Sequence, residues 1–439
     1  MNSASPKSPR IVICSGVQGD TRRYRTFHLY QQLRLAGVDC QLAHITDPDF
    51  PEVLSNADLG IFHRVSLDGY ARRLLDSYQA RGGLAVADTD DMVFDLRSFE
   101  WIDSPDFEDA VRARQYRAEM LLQRSMLERC EAVLTSTAFL AQQAAALGKN
   151  SLVLRNAFSL EMLASSENAR KNTIRQSGRV VIGYASGTHT HNKDLAQIAR
   201  PLQAVLRRFP HTELWMIGPM DIPAELQEVG DRVKRLGFVP WRQLPGLLAR
   251  LDINLAPLVE TNPFNQSKSE IKYMEAALVG VPTIASRTDA YVFAIQNSSN
   301  GMLASTETEW EDCLARLVES EYLRRALGTA AFERVRSAYH PMVRSEECVG
   351  VINSIFQQTR GHPLWTDADL QGQAQARQSA EKEPERYWLP ARLEHHPNLA
   401  DRAWYMLRYR GVIPLFAMLW IYFRRLFSPL IPFHKRQEP

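Results

Sequence analysis

A chain of 439 residues, 45% hydrophobic and 23% charged, is too long for a single core and has the composition of a folded globular protein. Its 52 basic and 50 acidic residues leave a formal net charge of +2, which excludes a global field for nucleic acid and confines any polyanion site to a local surface. The cysteines (Cys14, Cys40, Cys130, Cys313 and Cys348) are odd in number and lack CxxC or zinc spacing, which reads as reduced thiols in a cytoplasm; nor is there a signal-peptide apolar core before Ile11.

The hydrophobic spacing predicts one βα rhythm in two cycles. Arg10 to Cys14 reads as a strand, and Ser15 to Gly19 as a turn. The helix starts near Tyr24, after Arg22 and Arg23, with Leu29, Leu33 and Ala36 on its buried side and Arg25 in its first turn. Val38 to Ala43, Leu59 to His63 and Leu84 to Ala87 are further strands; the second ends in His63-Arg64 and the third runs into Asp88-Thr-Asp90-Asp91. A helix over about Asp106 to Leu127, a strand Ala132 to Ser136, a helix to Gly148 and a strand Ser151 to Leu154 complete the cycle. Glu167 to Ser177 is polar and reads as an inter-domain linker.

The second cycle gives strands at Val180 to Tyr184, Glu213 to Ile217, Val233 to Phe238, Ile253 to Ala256 and Thr283 to Ala285, closed by helices from about Trp310 to Gln357. The expected fold is α/β: two Rossmann-like domains, 1–166 and 178–358, joined by 167–177 and facing across a cleft, with ligands at the carboxyl ends of the strands.

Two stretches of the second cycle carry phosphate chemistry. Strand Val180 to Tyr184 runs into Ser186-Gly187-Thr-His-Thr-His-Asn-Lys193-Asp194 and then a helix from about Leu195, which is a small-residue turn before a helix N-terminus. His189 and His191 lack further ligands at sensible spacing, so no metal is assigned. Asn262 to Ser286 reads as a loop, a charged helix and a buried strand. With Ser267 as N-cap, Lys268, Lys272 and Glu275 share one face and Ile271, Met274 and Leu278 form the apolar stripe; Gly280 and Pro282 end the helix. Two cations beside a helix N-terminus suit a diphosphate, and a carboxylate suits the two hydroxyls of a ribose. The plainer alternative is a capping box, Ser267-x-x-Glu270, on an ordinary amphipathic helix.

The run from Asn262 to Ser286 resembles the donor-site signature of glycosyltransferases with the two-Rossmann-domain (GT-B) fold, in particular the mostly retaining family 4. Glu275, in Met-Glu-Ala-Ala-Leu-Val-Gly-Val-Pro, stands where that family's ribose-binding glutamate belongs. The family's first glutamate has no counterpart; Ser267 and Lys268 occupy its neighbourhood, as in a bacterial subgroup reading Lys-Ser-x-x-Lys. The resemblance implies a nucleotide-diphosphate sugar as donor and no metal cofactor. It makes Gly187, Lys193, Ser267, Lys268, Lys272 and Glu275 donor contacts and has Phe238 and Val239 offer backbone groups to the base. Lys193 and Lys272 would stabilise the leaving diphosphate. Asp88, Asp90 and Asp91 match the subgroup's aspartate-rich turn and face an acceptor, with His63 as a base or positioning group and Arg22, Arg25 and Arg64 as anion contacts. Each has its plainer alternative: a first-turn solvated lysine, an Asx-turn, a structural histidine, a solvated helix start.

Residues 359–400, within which Asp367 to Arg386 is rich in Gln, Ala, Glu and Asp, read as a flexible linker, and 401–439 as an amphipathic tail. The apolar run from Gly411 to Phe423 is shorter than the roughly 18 to 20 residues that span a bilayer. Aromatics between arginines suit a helix lying on the inner face of the cytoplasmic membrane; the alternative is a helix docked on the protein itself or on a second copy. The expected activity is sugar transfer from a nucleotide diphosphate to a glycan or lipid-linked acceptor in bacterial surface polysaccharide or glycolipid synthesis. The competing readings are a nucleotide-sugar-binding scaffold with degraded chemistry and a sugar-nucleotide epimerase of the same fold.

Overall fold

Short aliphatic runs closed by small or polar residues pair into two parallel sheets. The computed structural model describes residues 9–17, 19–175, 178–366, 369–370 and 379–385, together with the single positions Leu407, Val412, Phe416 and Leu419. In the first domain β1 (Arg10–Ser15), β2 (Asp39–His44), β3 (Leu59–His63), β4 (Leu84–Thr89), β5 (Ala132–Thr135) and β6 (Asn150–Val153) lie in the order β2-β1-β3-β4-β5-β6. In the second, β7 (Val180–Ala185), β8 (Thr212–Ile217), β9 (Val233–Leu236), β10 (Ile253–Ala256), β11 (Thr283–Ala285) and β12 (Met302–Leu303) lie in the order β12-β11-β10-β7-β8-β9. Every pairing is parallel, so both faces need helices, and β1, β3, β4, β7 and β8 are buried along almost their whole length. This is the GT-B arrangement of two facing α/β domains.

Registry places the site. β3 and β4 pair so that His63 stands beside Asp88, and both strands end at the cleft. In the second domain the helix Ala199–Arg208 and the helix Glu307–Glu319 cover one sheet face through Leu202, Leu206, Trp310 and Leu314. Tyr273, Met274 and Leu278 of the helix Ile271–Leu278 pack with Ala331 and Val335 of the helix Glu321–Tyr339 against the other.

Several expectations shift. Residues 167–172, expected in a linker, belong to the helix Leu160–Asn172, which Ser159 starts by accepting from the Met162 N–H at 3.0 Å. The helix Pro341–Arg360, counted with the second domain from sequence, packs Cys348, Ile352, Ile355 and Phe356 onto Ile11, Ile13, Leu33 and Val86 of the first. Its apolar stripe fits the first sheet's uncovered flank, which no local sequence feature reveals. Within the stretch read as a flexible linker, Trp365, Ala380 and Glu385 are buried. β12, only two residues long, was not foreseen. All five cysteines are free and buried, and burial pushes the Cys313 thiol up to about 11. The tail lies outside the described residues except for Leu407, Val412, Phe416 and Leu419.

Candidate active site

The second domain presents its cations where β7, β10 and the helix Ile271–Leu278 meet. Asn262, not Ser267, starts the local helical structure: its side chain accepts from the Phe264 N–H at 2.8 Å, and Pro263 occupies the first turn of a four-residue helix, Pro263–Gln266. Ser267 closes that turn, fully buried, with its hydroxyl donating to the Phe264 carbonyl at 2.6 Å. The expected N-cap at Ser267 is thus corrected, and with it the side-chain donor contact and the capping box. The main helix begins at Ile271, and Glu270 accepts from the Tyr339 hydroxyl at 2.7 Å instead of capping. Lys268 therefore precedes the helix, and only Lys272 and Glu275 share its face. Gly280, at φ +73°, ends the helix as expected.

Lys272 is half-buried; its ammonium donates to the Ala185 carbonyl at the end of β7 and lies 5.1 Å from the centre of the Tyr184 ring. Burial lowers its pKa to about 8, against Glu275 and Asp194, which favour the charged form. Lys268 still adds to the local positive field, since its charge also disfavours protonation of Lys272. Asp194, buried, is the post of this wall: Oδ1 accepts from the Val259 N–H at 3.0 Å and from Asn265 Nδ2 at 2.7 Å, and Oδ2 lies 2.7 Å from His191 Nδ1. It ties the loop after β7 to the loop after β10. Burial lowers the His191 pKa against the pull of Asp194. Gly187 is exposed on that loop, and Lys193, 77% exposed, stands at the start of the helix Asn192–Ala196. At the end of β8, Gly218 has φ +109°, and a Cβ there would fall 1.9 Å from the Ser186 carbonyl oxygen. Phe238, 62% exposed, and Val239 follow β9 at the same edge.

The first domain contributes a chain of paired charges. Arg25 clasps Asp88, donating from Nε at 3.1 Å and also from Nη2, while Nη1 donates to the Leu154 carbonyl at 2.6 Å and to Asn156 at 3.1 Å. Asp88 also lies 2.8 Å from His63 Nδ1; His63 Nε2 lies 3.3 Å from the Thr21 hydroxyl, which donates to Asp90. Arg64 reaches both Asp90 and Asp91 at 3.5 Å. Burial would raise the Asp88 and Asp90 carboxyls, but Arg25 with the His63 bond outweighs it at Asp88, and Arg64, His63 and Thr21 outweigh it at Asp90. Arg25, His63 and Asp88 are wholly enclosed. They brace the loop and do not reach an acceptor, which corrects the direct contacts expected of them. Arg22 is buried with its charge near Asp47. Asp90, Asp91 and Arg64 remain at the cleft, partly exposed.

The two faces touch through the residues expected to hold a donor. Lys268 Nζ lies 2.8 Å from Asp91 Oδ1. Lys193 Nζ lies 3.2 Å from Asp103, which also accepts the Lys193 N–H at 3.1 Å. Glu275 accepts from the Tyr24 hydroxyl at 2.5 Å, with Arg23 Nη2 3.9 Å away. Thus acids of the first domain sit on the lysines, and a tyrosine and an arginine sit on the carboxylate. Tyr24, Thr21, Asp103 and Asp194 were missed as site residues. Asp194 stood in the phosphate-loop string, but its partners are set by the fold.

Residues 179–320, most of the second domain, match the family model described as glycosyl transferases group 1. No curated protein matches the chain in sequence. Among solved structures, the HepE protein of Anabaena, in complex with UDP and glucose, is similar at 13% identity and TM-score 0.52, covering 79% of this chain and 100% of that one. Sucrose-phosphate synthase from Thermosynechococcus elongatus has 14% identity and TM-score 0.54, covering 80% and 100%. A glycosyltransferase from Rickettsia africae has 12% identity and TM-score 0.53 over the same shares. At these identities the likeness is one of fold.

Proposed function

We propose that the protein transfers a sugar from a nucleotide diphosphate to a glycan or lipid-linked acceptor, with retention at the anomeric carbon, in surface polysaccharide or glycolipid synthesis. The observation that carries this reading is the convergence of Lys272, Lys268 and Lys193 with Glu275 at the carboxyl ends of the second sheet, opposite Asp90 and Asp91. A leaving diphosphate develops charge as the glycosidic bond to it breaks, and fixed cations in a partly dehydrated cleft stabilise that charge without a metal. On donor binding, its phosphates replace Asp91 and Asp103 as partners of the lysines, and its ribose replaces Tyr24 on Glu275. The backbone at Phe238 and Val239 meets the base. Asp90 and Asp91, released toward the cleft, orient the acceptor hydroxyl, while Arg25, Asp88 and His63 hold the loop that carries them.

Thermal shift with UDP, GDP and ADP tests the donor half: a nucleotide at 100 times its Kd adds about 2.7 kcal/mol of stability. Glu275→Ala is expected to weaken the best binder about tenfold or more; wild-type affinity in that variant overturns the ribose assignment. The anomer formed on a defined acceptor, read by NMR, tests retention. For localisation, Leu407, Val412 and Phe416 are exposed apolar residues, and among the described residues no helix is long and apolar enough to cross a membrane. We assign residues 401–439 to reversible contact with the inner leaflet. Removing them, while sparing Glu385, should release the protein from anionic vesicles and leave nucleotide binding intact; sedimentation of the shortened chain with vesicles refutes the assignment.

A further inference from the structure

Residues 379–385 run into the seam between the domains. The Ala380 carbonyl accepts from Gln31 at 3.4 Å and Glu383 from the Tyr30 hydroxyl at 3.0 Å, which lays the segment along the helix His28–Leu35. Glu385 then turns its carboxylate inward and is buried. Its Oε1 lies 2.9 Å from His28 Nε2 and accepts from the Ser159 hydroxyl, and its Oε2 lies 3.5 Å from Arg23 Nη1. Its backbone N–H donates to Glu161 at 2.6 Å, and its carbonyl accepts from Arg242 of the second domain at 2.7 Å. The Arg23 guanidinium lies 4.5 Å from the ring centres of both Tyr24 and Trp241, and its other nitrogen, Nη2, is the one 3.9 Å from Glu275. One buried guanidinium therefore has a carboxylate at each end, one from the donor helix and one from a residue more than a hundred positions later.

We infer that Glu385 is a positioning residue of the donor site: it holds Arg23 from the side away from the nucleotide, limits the guanidinium's grip on Glu275, and leaves Glu275 able to accept ribose hydroxyls. This rests on the ribose role proposed for Glu275. A single positive charge shared between two carboxylates in a low-dielectric seam binds each less firmly than it would bind either alone. Burial would raise the Glu385 carboxyl, but His28, Arg23 and Ser159 outweigh it and keep it ionised. With Glu385 neutral, the charge of Arg23 falls more heavily on Glu275, and a ribose then has to break a tighter pair.

The test is a double-mutant cycle in the full chain, titrated with whichever of UDP, GDP and ADP binds the wild type most tightly. Glu385→Gln should weaken that nucleotide about fivefold or more, the low end of coupling between linked sites. In an Arg23→Gln background the same change should have no effect on affinity, because the competing charge is gone, although any loss in melting temperature from Glu385→Gln persists in both backgrounds. Wild-type affinity in Glu385→Gln, or equal weakening with and without Arg23, overturns the inference. Glu275→Ala, run alongside, separates the levels. If it weakens binding while Glu385→Gln does not, only the positioning role fails. If it binds like wild type, or if no nucleotide binds, the donor site itself fails and the positioning role with it.

Discussion

On the first domain's side of the cleft, Asp88 is enclosed with a guanidinium and an imidazole fixed to it; across the cleft, Lys272 is half-buried, and Lys268 and Lys193 are held mainly by acids of the opposite domain. The enclosed cluster of Arg25, His63 and Asp88 satisfies its charges within its own domain and would keep its shape whether or not a ligand is present. Lys268 and Lys193 borrow partners from across the gap, and those are the partners a diphosphate can replace. Where a charge finds its counter-charge thus separates a brace from a binding surface. Removing Arg25, His63 or Asp88 from the enclosed cluster should cost stability, and removing a lysine of the second face should cost function.

The largest effect that would break this contrast is at Asp88. Asp88→Asn leaves Arg25 buried with a neutral partner, and a loss of about 3–5 kcal/mol is expected in denaturant unfolding. The sign with pH follows from the depressed Asp88 pKa: its contribution is present above the unfolded carboxylate pKa and is lost as pH falls through the lower folded value. An unfolding midpoint in Asp88→Asn within error of wild type would remove the distinction between the faces.

Lys272 tests the opposite pole. Lys272→Ala should lower kcat by about a hundredfold, as loss of one transition-state charge contact does, while melting at neutral pH falls little. Because burial holds the ammonium at about 8, kcat/KM should decline as pH rises through 8, and Lys272→Arg should flatten that decline. Linkage runs in the opposite sense: the folded state binds fewer protons than the unfolded between about 8 and the ordinary lysine value, so this group's contribution to stability rises over that window. A pH profile unchanged by Lys272→Arg assigns the decline to another group.

Gly218→Ala sharpens the comparison at the backbone. Positive φ and the close approach to the Ser186 carbonyl predict about 1–3 kcal/mol lost, together with nucleotide affinity, since the Ser186 loop has to move. The smallest expected change is Lys193→Ala, whose pair with Asp103 is mostly solvated: melting should stay within about 0.5 kcal/mol of wild type and nucleotide affinity should fall. A larger stability loss would class Lys193 with the braces.

The sheets were legible because a parallel strand buried on both faces is a continuous aliphatic run, and β3, β10 and β11 lie at the expected residues. Lys272, Glu275 and Gly280 were legible because their spacing and chemistry are local. Ser267 misled because its hydroxyl suits a cap equally well at either end of a short turn, and the choice fell to Asn262-Pro263 just upstream. His63 and Asp88 lie 25 residues apart, and only strand registry shows that they bond to each other in place of a substrate. Glu385 meets His28 across 357 residues, a distance over which pattern carries no information.

The return of the helix Pro341–Arg360 to the first domain also bears on how the chain is made. Ile11, Ile13 and Val86 leave the ribosome before any of the second domain, yet Ile352, Ile355 and Phe356, which cover them, leave only after all of it. The first sheet, complete at Val153, therefore waits with an uncovered apolar flank until the helix Pro341–Arg360 is made, while the later-made domain has its own core complete by Tyr339. In this molecule the second domain can finish folding before the first, and released chains truncated after Tyr339 should expose the first domain, not the second, to proteolysis.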